Sequence, residues 1–269
     1  SPMDKLSPVG VFDSGVGGFS VVKEIQKVLP GEDVLYYGDS ANMPYGNRSG
    51  EEILHLTRQI LAFLERRGVK AAAVACNTIS SLIDRYRDDY PFKIFSVIEA
   101  GAASVATLDA DCVGVIGTVF TARSGAYHRL INAVRPGIKV CAQGCPNLAR
   151  LIDGGDLRPE SIDPELRAAV EPLLAQAPIR HLILGCTHYP LVSGHLNRLY
   201  PQLTLVDPAH EQALAVKRFL ESQGLLNDAG SGSLELNTSG DAAQYAEAAR
   251  RFGLKEPRAI NTVAAAQPL

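Results

Sequence analysis

The 269-residue chain carries no strong excess of charge of either sign. It has 26 lysine and arginine residues against 29 aspartate and glutamate residues, which gives a net charge of −3. Proteins that bind nucleic acids usually carry a basic surface that neutralises phosphates, so this balance argues against a nucleic-acid partner. The chain also has no run of 18 apolar residues, and its first residues lack the apolar stretch of a signal peptide. We therefore expect a soluble, cytoplasmic protein with no membrane partner.

Cysteines are few, and their number is odd. Five cysteines in a chain of this length form a poor disulfide framework and indicate reduced thiols, as in a cytoplasm. Apolar residues make up 46% of the chain and charged residues 20%, a composition that can bury a sizeable core. The composition therefore argues against a disordered chain and leaves the role of the thiols as the main question.

Short apolar runs alternate with longer amphipathic ones along the chain. Strands are predicted at residues 9–12, 34–38, 71–75, 94–97, 112–116, 139–142, 181–184 and 204–206. Helices are predicted at residues 19–28, 51–67, 80–88, 124–134, 164–175 and 211–221. Such alternation is typical of an α/β protein with mostly parallel sheets. Because ligands bind at the carboxyl ends of strands in such sheets, functional residues are expected there.

Several short strings recur in the same order, between 104 and 110 positions further along the chain. They pair Val9-Gly10-Val11 with Val113-Gly114-Val115, Leu29-Pro30-Gly31 with Arg135-Pro136-Gly137, Cys76-Asn77-Thr78 with Cys186-Thr187-His188, and Tyr90-Pro91 with Tyr200-Pro201. Each match alone is weak, but four in register indicate a duplicated α/β half. We therefore predict an α/β fold with two similar subdomains of mostly parallel sheets, related by pseudo-symmetry. The tail from about Asp207 contains a predicted helix and is expected to pack back on the first half.

Two cysteines occupy matching places in these halves. Cys76 and Cys186 each follow a predicted strand at the point where a helix is expected to begin. Backbone N–H groups at a helix N-terminus favour negative charge, so such a position favours a thiolate and also receives a ligand carboxylate. A buried, inert cysteine at a strand end is the alternative. The polar side chains that follow the two thiols add further donors: Asn77, Thr78, Thr187 and His188. Two thiols on facing halves are the arrangement needed to act on one carbon atom from both of its faces.

The other three cysteines point to no chemistry. Cys112 begins an apolar strand and is expected in the core. Cys141 and Cys145 have a spacing that suits a metal, but no second pair of ligands completes a zinc site. We therefore predict no metal site.

Three polar loops follow strands and present candidate ligands for a substrate. Asp13 and Ser14 open a glycine-rich loop that lacks both the dinucleotide fingerprint and the end of a P-loop. Asp13 is either a proton partner for a thiol or a helix N-cap. The loop with Tyr45 and Gly46 is either a ligand cover or an ordinary connection. Thr118 either donates to a carboxylate or caps the following helix.

Together these residues resemble the glutamate racemases of the aspartate/glutamate racemase superfamily. The matching strings are Phe12-Asp13-Ser14-Gly15-Val16-Gly17-Gly18, Pro44-Tyr45-Gly46, Cys76-Asn77-Thr78, Gly117-Thr118 and Gly185-Cys186-Thr187-His188-Tyr189-Pro190. The last is the most specific, because aspartate racemase relatives usually carry an acidic residue where His188 stands. The resemblance implies an enzyme without a cofactor, in which one cysteine removes the α-proton of glutamate and the other replaces it on the opposite face.

Roles for individual residues follow from the same resemblance. Cys76 would act on D-glutamate with help from Asp13, and Cys186 would act on L-glutamate with help from His188. The substrate would be held by Asp13, Ser14, Tyr45, Gly46, Asn77, Thr78, Thr118, Thr187 and His188. The resemblance also implies a homodimer that supplies D-glutamate for peptidoglycan. Its two subdomains would be residues 1–98 with 208–269 and residues 99–207, with the active site at their interface.

The sequence departs from the family pattern at two places. Ala100 replaces the proline of a usual Glu-Pro-Gly string. Asp153 stands in a segment where the family often has a glutamate that assists the second cysteine, and it is one methylene shorter. Two other functions stay open: a racemase of the same superfamily that acts on aspartate or another small acid, and a small-acid binding protein with inert cysteines.

Overall fold

The computed structural model describes residues 3–266. The chain forms two compact units, the first made of residues up to Val97 together with those from Gln212 onwards, and the second of Ile98–Glu211. The chain leaves the first unit in the helix Val97–Val105 and returns to it in the helix Pro208–Ser222. Each unit is built on its own β-sheet.

All neighbouring strands of both sheets run parallel, which confirms the predicted α/β fold with two mostly parallel sheets. The strands are β1 Val9–Asp13, β2 Val34–Gly38, β3 Ala71–Val74, β4 Lys93–Ser96, β5 Cys112–Gly117, β6 Lys139–Gly144, β7 His181–Gly185, β8 Thr204–Val206, β9 Leu234–Thr238 and β10 Ala259–Thr262. The first unit has the strand order β10-β9-β2-β1-β3-β4, and the second has β6-β5-β7-β8. The order β2-β1-β3-β4 thus recurs as β6-β5-β7-β8, so the recurring strings lie in or next to equivalent strands of the two sheets.

The α-helices of the described residues are α1 Phe19–Val28, α2 Gly50–Arg66, α3 Asn77–Ser80, α4 Val97–Val105, α5 Val119–Ser124, α6 Ala126–Val134, α7 Leu148–Asp153, α8 Pro159–Gln176, α9 Ser193–Leu199, α10 Pro208–Ser222 and α11 Ala242–Arg251. Helix α2 shows how the sequence fixes such an element. The Ser49 hydroxyl accepts from the Glu52 N–H at 3.2 Å and donates to the Glu52 carboxylate at 3.1 Å, which satisfies one orphan N–H of the first turn. Apolar residues then recur on one buried face, among them Ile53, Ile60 and Leu64.

Each sheet lies in an apolar core. All five residues of β1 and all five of β2 are buried in the first unit, as is typical of a parallel sheet covered on both faces. In the second unit a continuous apolar cluster contains Cys112, Cys141 and Cys145 together with residues of α8 such as Leu166 and Val170. Cys112, which the sequence places in the core, is therefore buried among aliphatic side chains together with Cys141 and Cys145.

Two predicted helices are not continuous helices in the structure. The predicted helix 80–88 is replaced by the short α3 and two 3-10 turns, Ile83–Arg85 and Arg87–Asp89. The Ser81 hydroxyl donates to the Thr78 carbonyl at 2.6 Å, the kind of side-chain bond that competes with a continuing helix.

The predicted helix 124–134 is interrupted at its beginning. Gly125 has φ +68°, a left-handed conformation that ends α5 and starts α6. The chain therefore turns between the two helices at the one residue type that adopts this conformation without strain.

The tail contains more structure than the sequence predicts. Strand β9 pairs with β2, and β10 pairs with β9, so the tail extends the sheet of the first unit by two strands. The missed β9 includes Glu235 and Asn237, polar residues that hide its apolar character. In the fold, Glu235 pairs with Arg67 at 2.8 Å, and the Asn237 amide donates to the Tyr36 carbonyl at 3.2 Å.

Candidate active site

Three strands of the first unit bring polar residues to one edge of the sheet. Asp13 ends β1, and the Asp39 N–H donates to the Asp13 carbonyl at 3.1 Å directly after β2. Cys76 follows β3 by two residues, and the Ala75 N–H before it donates to the Phe12 carbonyl at 2.9 Å. The parallel register therefore gathers both carboxylates and the thiol at the carboxyl ends of adjacent strands, where α/β proteins bind ligands.

Two neutral groups contact the Cys76 thiol. The Ile79 N–H donates to its sulfur at 3.5 Å, because Cys76 is the N-cap of α3. The Ser14 hydroxyl lies 3.9 Å from the same sulfur. Asn77 and Thr78 form the start of α3 and are buried. The structure thus brings four of the predicted site residues together: Ser14, Cys76, Asn77 and Thr78.

Asp13 organises the glycine-rich loop that follows β1. One carboxylate oxygen accepts from the Ser14 N–H at 2.7 Å, and the other accepts from the Gly18 N–H at 2.6 Å. The alternative in which Asp13 is the N-cap of α1 is wrong, because Gly18 occupies that position. A Cβ atom on Gly18 would lie 2.7 Å from the Tyr36 hydroxyl, so this glycine permits close packing within the protein. Asp13 therefore holds Ser14, the residue that contacts Cys76.

Tyr45 is buried, and its hydroxyl is committed to a carboxylate. It donates to Asp39 Oδ2 at 2.5 Å, and burial together with the Asp39 charge raises the pKa of Tyr45 well above its usual range. Gly46 lies in the same 3-10 turn, Tyr45–Asn47. The single proton of the Tyr45 hydroxyl points to Asp39 and the side chain is buried, so a substrate could reach only the backbone of this residue.

In the second unit Cys186 and Thr118 leave adjacent strands side by side. Gly117 of β5 and Gly185 of β7 are register partners, so the residues after them emerge at the same edge. Thr118 caps α5, where its hydroxyl accepts from the Thr121 N–H at 3.3 Å. The capping role for Thr118 is therefore observed, at a position next to Cys186.

Cys186 does not precede an α-helix, contrary to the prediction. The residues after it form a turn and the 3-10 helix Tyr189–Val192. The Tyr189 N–H donates back to the Cys186 carbonyl at 3.0 Å. Pro190 has no N–H to give the carbonyl four residues earlier in an α-helix, so the tighter winding results.

His188 and Asp153 give the Cys186 thiol a charged partner. The His188 Nδ1 atom lies 3.8 Å from the Cys186 sulfur, and its Nε2 atom lies 3.3 Å from Asp153 Oδ1. Burial of the ring lowers the pKa of His188, but the contacts with Asp153 and Cys186 outweigh it and raise that pKa to about 10. His188 is therefore an imidazolium at neutral pH, with the sulfur on one side and a carboxylate on the other. Thr187, between the thiol and the imidazole in sequence, is buried.

Cys141 and Cys145 lie in the same apolar cluster as Cys186. Burial raises the pKa of Cys145 to about 12 and also raises the pKa of Cys141. Both side chains therefore stay neutral thiols at physiological pH, as expected for core residues.

The sequence prediction leaves out two residues that the structure places at this edge of the first sheet. Asp39 binds Tyr45, and it directly follows β2, so its position after a strand was the available signal. Ser239 follows β9 and donates to Asp39 at 2.6 Å. It could be found only with β9, whose alternating Leu-Glu-Leu-Asn-Thr pattern was the signal.

Three features are absent from residues 3–266. No helix in this part of the chain is both long and apolar enough to cross a bilayer. No group of three or more metal-ligating side chains is found among the same residues. The five cysteines all fall in this range, and none forms a disulfide there.

Comparison with known proteins identifies the family. A model of the Asp/Glu/Hydantoin racemase family matches residues 11–216. A glutamate racemase of Caldanaerobacter subterraneus subsp. tengcongensis is 36% identical over 252 residues, which cover 93% of this chain and 94% of the relative. The crystal structure of glutamate racemase from Francisella tularensis with D-glutamate has a TM-score of 0.90 and 30% identity, and covers 97% of this chain and 98% of its own.

A second crystal structure agrees with the first. A glutamate racemase isoform from Bacillus anthracis has a TM-score of 0.91 and 31% identity, and the match covers 97% of this chain and 99% of that one. The similarity thus extends over nearly the whole chain, including the tail beyond the family model. The chain belongs to the Asp/Glu/Hydantoin racemase family, in which these similar proteins are glutamate racemases.

Proposed function

We propose that this chain interconverts L-glutamate and D-glutamate with two cysteine thiols and without a cofactor. The observation that carries the proposal is the equivalence of Cys76 and Cys186. Each cysteine follows the strand that comes third along the chain in its sheet, β3 or β7. The chain is also similar to glutamate racemases over nearly its full length. Two thiols with polar partners at equivalent strand ends suit a reaction that takes a proton from one face of a carbon and returns it to the other.

In this mechanism the two thiols exchange roles with the direction of the reaction. Cys186 as thiolate removes the α-proton of L-glutamate, while Cys76 as thiol donates a proton to the opposite face. For D-glutamate, Cys76 is the base and Cys186 the acid. Each half of the reaction therefore needs one thiolate and one thiol, and a turnover leaves the two protonation states reversed.

The partners of the thiols support this division. The His188 imidazolium stabilises negative charge on Cys186 and can return a proton to it, with Asp153 holding the ring in place. On the other side, Asp13 orients Ser14 against Cys76. Asp13 and His188 are the residues that assist proton transfer at Cys76 and Cys186, respectively.

Removal of an α-proton places negative charge on the substrate carboxylate. Hydrogen-bond donors aimed at that carboxylate therefore stabilise the transition state more than the ground state. The residues that we propose for substrate binding supply such donors from backbone, hydroxyl and amide groups: Asp13, Ser14, Tyr45, Gly46, Asn77, Thr78, Thr118, Thr187 and His188.

Membership of the family supports further proposals about the protein in the cell. We propose that it works in the cytoplasm as a homodimer and supplies D-glutamate for peptidoglycan. We also propose that residues 1–98 with 208–269 and residues 99–207 are its two domains.

The reaction is tested by incubation of L-glutamate with the protein in deuterated buffer. We expect D-glutamate that carries solvent deuterium at Cα, while the L-glutamate that remains at early times is unlabelled. Early label in both enantiomers would contradict two separate bases. The same assay with L-aspartate addresses substrate choice, and racemisation of aspartate but not of glutamate would overturn the proposal. Binding of glutamate without exchange of its α-proton would indicate a binding protein with inert cysteines.

A further inference from the structure

The tail of the first unit reaches the loop that contains Tyr45. Strand β9 lies outside the residues 11–216 matched by the family model, and it pairs with β2 along its whole length. Because Gly38 and Thr238 are register partners, the residues after β2 and β9 leave the sheet side by side. The segment after β9 therefore adjoins the segment 39–47 after β2, which we call the Tyr45 loop.

Ser239 bridges these two segments. Its hydroxyl donates to Asp39 Oδ1 at 2.6 Å and accepts from the Ala41 N–H at 3.1 Å. Its own N–H donates to the Gly38 carbonyl at 3.3 Å. One serine thus holds both a side chain and the backbone at the beginning of the Tyr45 loop.

Tyr245 adds a second contact from the same tail. Its hydroxyl lies 2.6 Å from the Ser40 hydroxyl, and its ring packs edge-on against Phe19 at 5.5 Å between centroids. The ring is buried, so the hydroxyl is presented to Ser40 from a fixed position in the core.

Asp39 connects Ser239 to Tyr45. Its carboxylate accepts from Ser239 on one oxygen and from the Tyr45 hydroxyl, at 2.5 Å, on the other. The Asn42 amide donates to both oxygens, at 3.0 and 3.2 Å. Asp39 is only 4% exposed, so water cannot readily replace a lost partner. Ser239 is therefore one of three side chains that fix the orientation of the carboxylate, and with it that of Tyr45.

We infer that Ser239, supported by Tyr245, is a positioning residue for the Tyr45 loop, and through it for substrate binding at Tyr45 and Gly46. This inference rests on the proposed function, in which those two residues hold glutamate. It gives the tail a role at the site beyond its contribution to the sheet.

The chain contains a matched control at the other end of the same two strands. The Ser233 hydroxyl donates to Asp33 Oδ1 at 2.7 Å, directly before β9 and β2. This serine–aspartate bond joins the same strand pair as the bond from Ser239 to Asp39, but it lies at the edge away from Cys76. Ser233→Ala therefore removes the same kind of bond without touching the Tyr45 loop.

The test compares Ser239→Ala, Ser239→Thr and Ser233→Ala with the native protein. In Ser239→Ala we expect KM for both enantiomers of glutamate to rise about tenfold, with kcat within about threefold of native, because one partner of a buried carboxylate is lost. Ser239→Thr keeps the hydroxyl and restores KM, and Ser233→Ala leaves KM unchanged. Tyr245→Phe keeps the ring and raises KM in the same direction by a smaller factor.

Amide hydrogen exchange tests the same inference without activity. Peptides that cover the Tyr45 loop should exchange faster in Ser239→Ala than in Ser233→Ala. Equal KM values and equal exchange in the two alanine variants would overturn the inference, as would a KM that Ser239→Thr fails to restore. If the native protein does not racemise glutamate, the proposed function fails, and exchange still decides whether Ser239 orders the loop. If Ser239→Ala does not fold, Tyr245→Phe takes its place in both measurements.

Discussion

Cys76 and Cys186 occupy equivalent strand ends, but the groups described in contact with the two sulfurs differ in charge. The Cys76 sulfur receives a backbone N–H from Ile79 and lies 3.9 Å from the Ser14 hydroxyl. The Cys186 sulfur lies 3.8 Å from the imidazole of His188, which contacts Asp153. The strand order places both thiols, while the residues around each thiol decide what stabilises it.

This difference has a consequence for pH dependence. Dipoles of hydroxyl and backbone groups act on a thiolate at every pH, whereas an imidazolium acts only while it is protonated. The pKa of His188, raised to about 10, keeps the imidazolium present through the physiological range. We therefore expect the Cys186 side of the reaction to fail at high pH before the Cys76 side does.

Loss of either thiol should have the largest effect. Cys76→Ala and Cys186→Ala should each lower racemisation by about 10⁴-fold or more, because each removes the only proton carrier on its face. Chiral chromatography of the products measures this loss. Cys145→Ala serves as the control and should stay active, since Cys145 is a core thiol. An active Cys186→Ala enzyme would break the two-thiol mechanism.

Loss of the charged partner should come next. His188→Asn should lower kcat by about 10²-fold at pH 8, since an uncharged amide cannot stabilise the thiolate or relay a proton as an imidazolium does. In the native enzyme, activity should fall as the pH rises through about 10, where His188 loses its proton. A kcat profile against pH should contain a fall set by His188 in the native protein, whereas in the variant only the loss of the proton from the acid thiol should lower kcat. An unchanged profile would show that His188 is only structural.

Removal of the Asp153 carboxylate should have a smaller effect with a defined sign. Asp153→Asn takes away a contact that raises the pKa of His188, so the fall in activity should move to lower pH, with a loss of about tenfold at pH 9.

The same contact should be visible in thermal unfolding. A histidine whose pKa is raised on folding contributes stability that is complete below its unfolded pKa of about 6.5 and is lost as the pH rises through its folded value. The native Tm should therefore fall more between pH 6 and pH 10.5 than the Tm of Asp153→Asn. Parallel falls in the two proteins would mean that Asp153 does not hold the proton of His188.

The neutral partner of Cys76 should matter least. Ser14→Ala removes a hydroxyl 3.9 Å from the sulfur, a weak contact, and should lower kcat by about threefold. The loss should be the same from pH 6 to pH 9, because no titrating group is removed. A loss that varies with pH would show that Ser14 couples Cys76 to the protonation state of Asp13.

The sequence predicts the scaffold well, because buried parallel strands are apolar along their whole length. Strands β2 and β8 have the predicted bounds, and the other predicted strands differ by one or two residues at their ends. Strand β9 alternates apolar with polar residues, Glu235 and Asn237 among them, and so escaped a prediction based on apolar runs. Their burial is explained only by partners such as Arg67, which is 168 positions away.

The candidate site was predictable in its residues but not in their contacts. The sequence indicated that Cys76 and Cys186 have polar neighbours, because Ser14, Asn77 and His188 each follow the end of a predicted strand. The contact of Asp153 with His188 joins residues 35 positions apart, and the bond from Ser239 to Asp39 joins residues 200 positions apart. Such pairs depend on the order of the strands in the sheet and on the conformation of the loops between them. Neither can be inferred from a local sequence pattern.

The most direct test of unequal thiols is the rate at which iodoacetamide alkylates each one. Mass spectrometry of the Cys76 and Cys186 peptides, from the native protein and from His188→Asn at pH 7, gives the two rates separately. We expect alkylation of Cys186 to slow by about tenfold in the variant, because a charge-assisted contact with the thiolate is lost. Alkylation of Cys76 should be unchanged. An equal change at both cysteines, or none at Cys186, would contradict the assignment of His188 to one thiol alone.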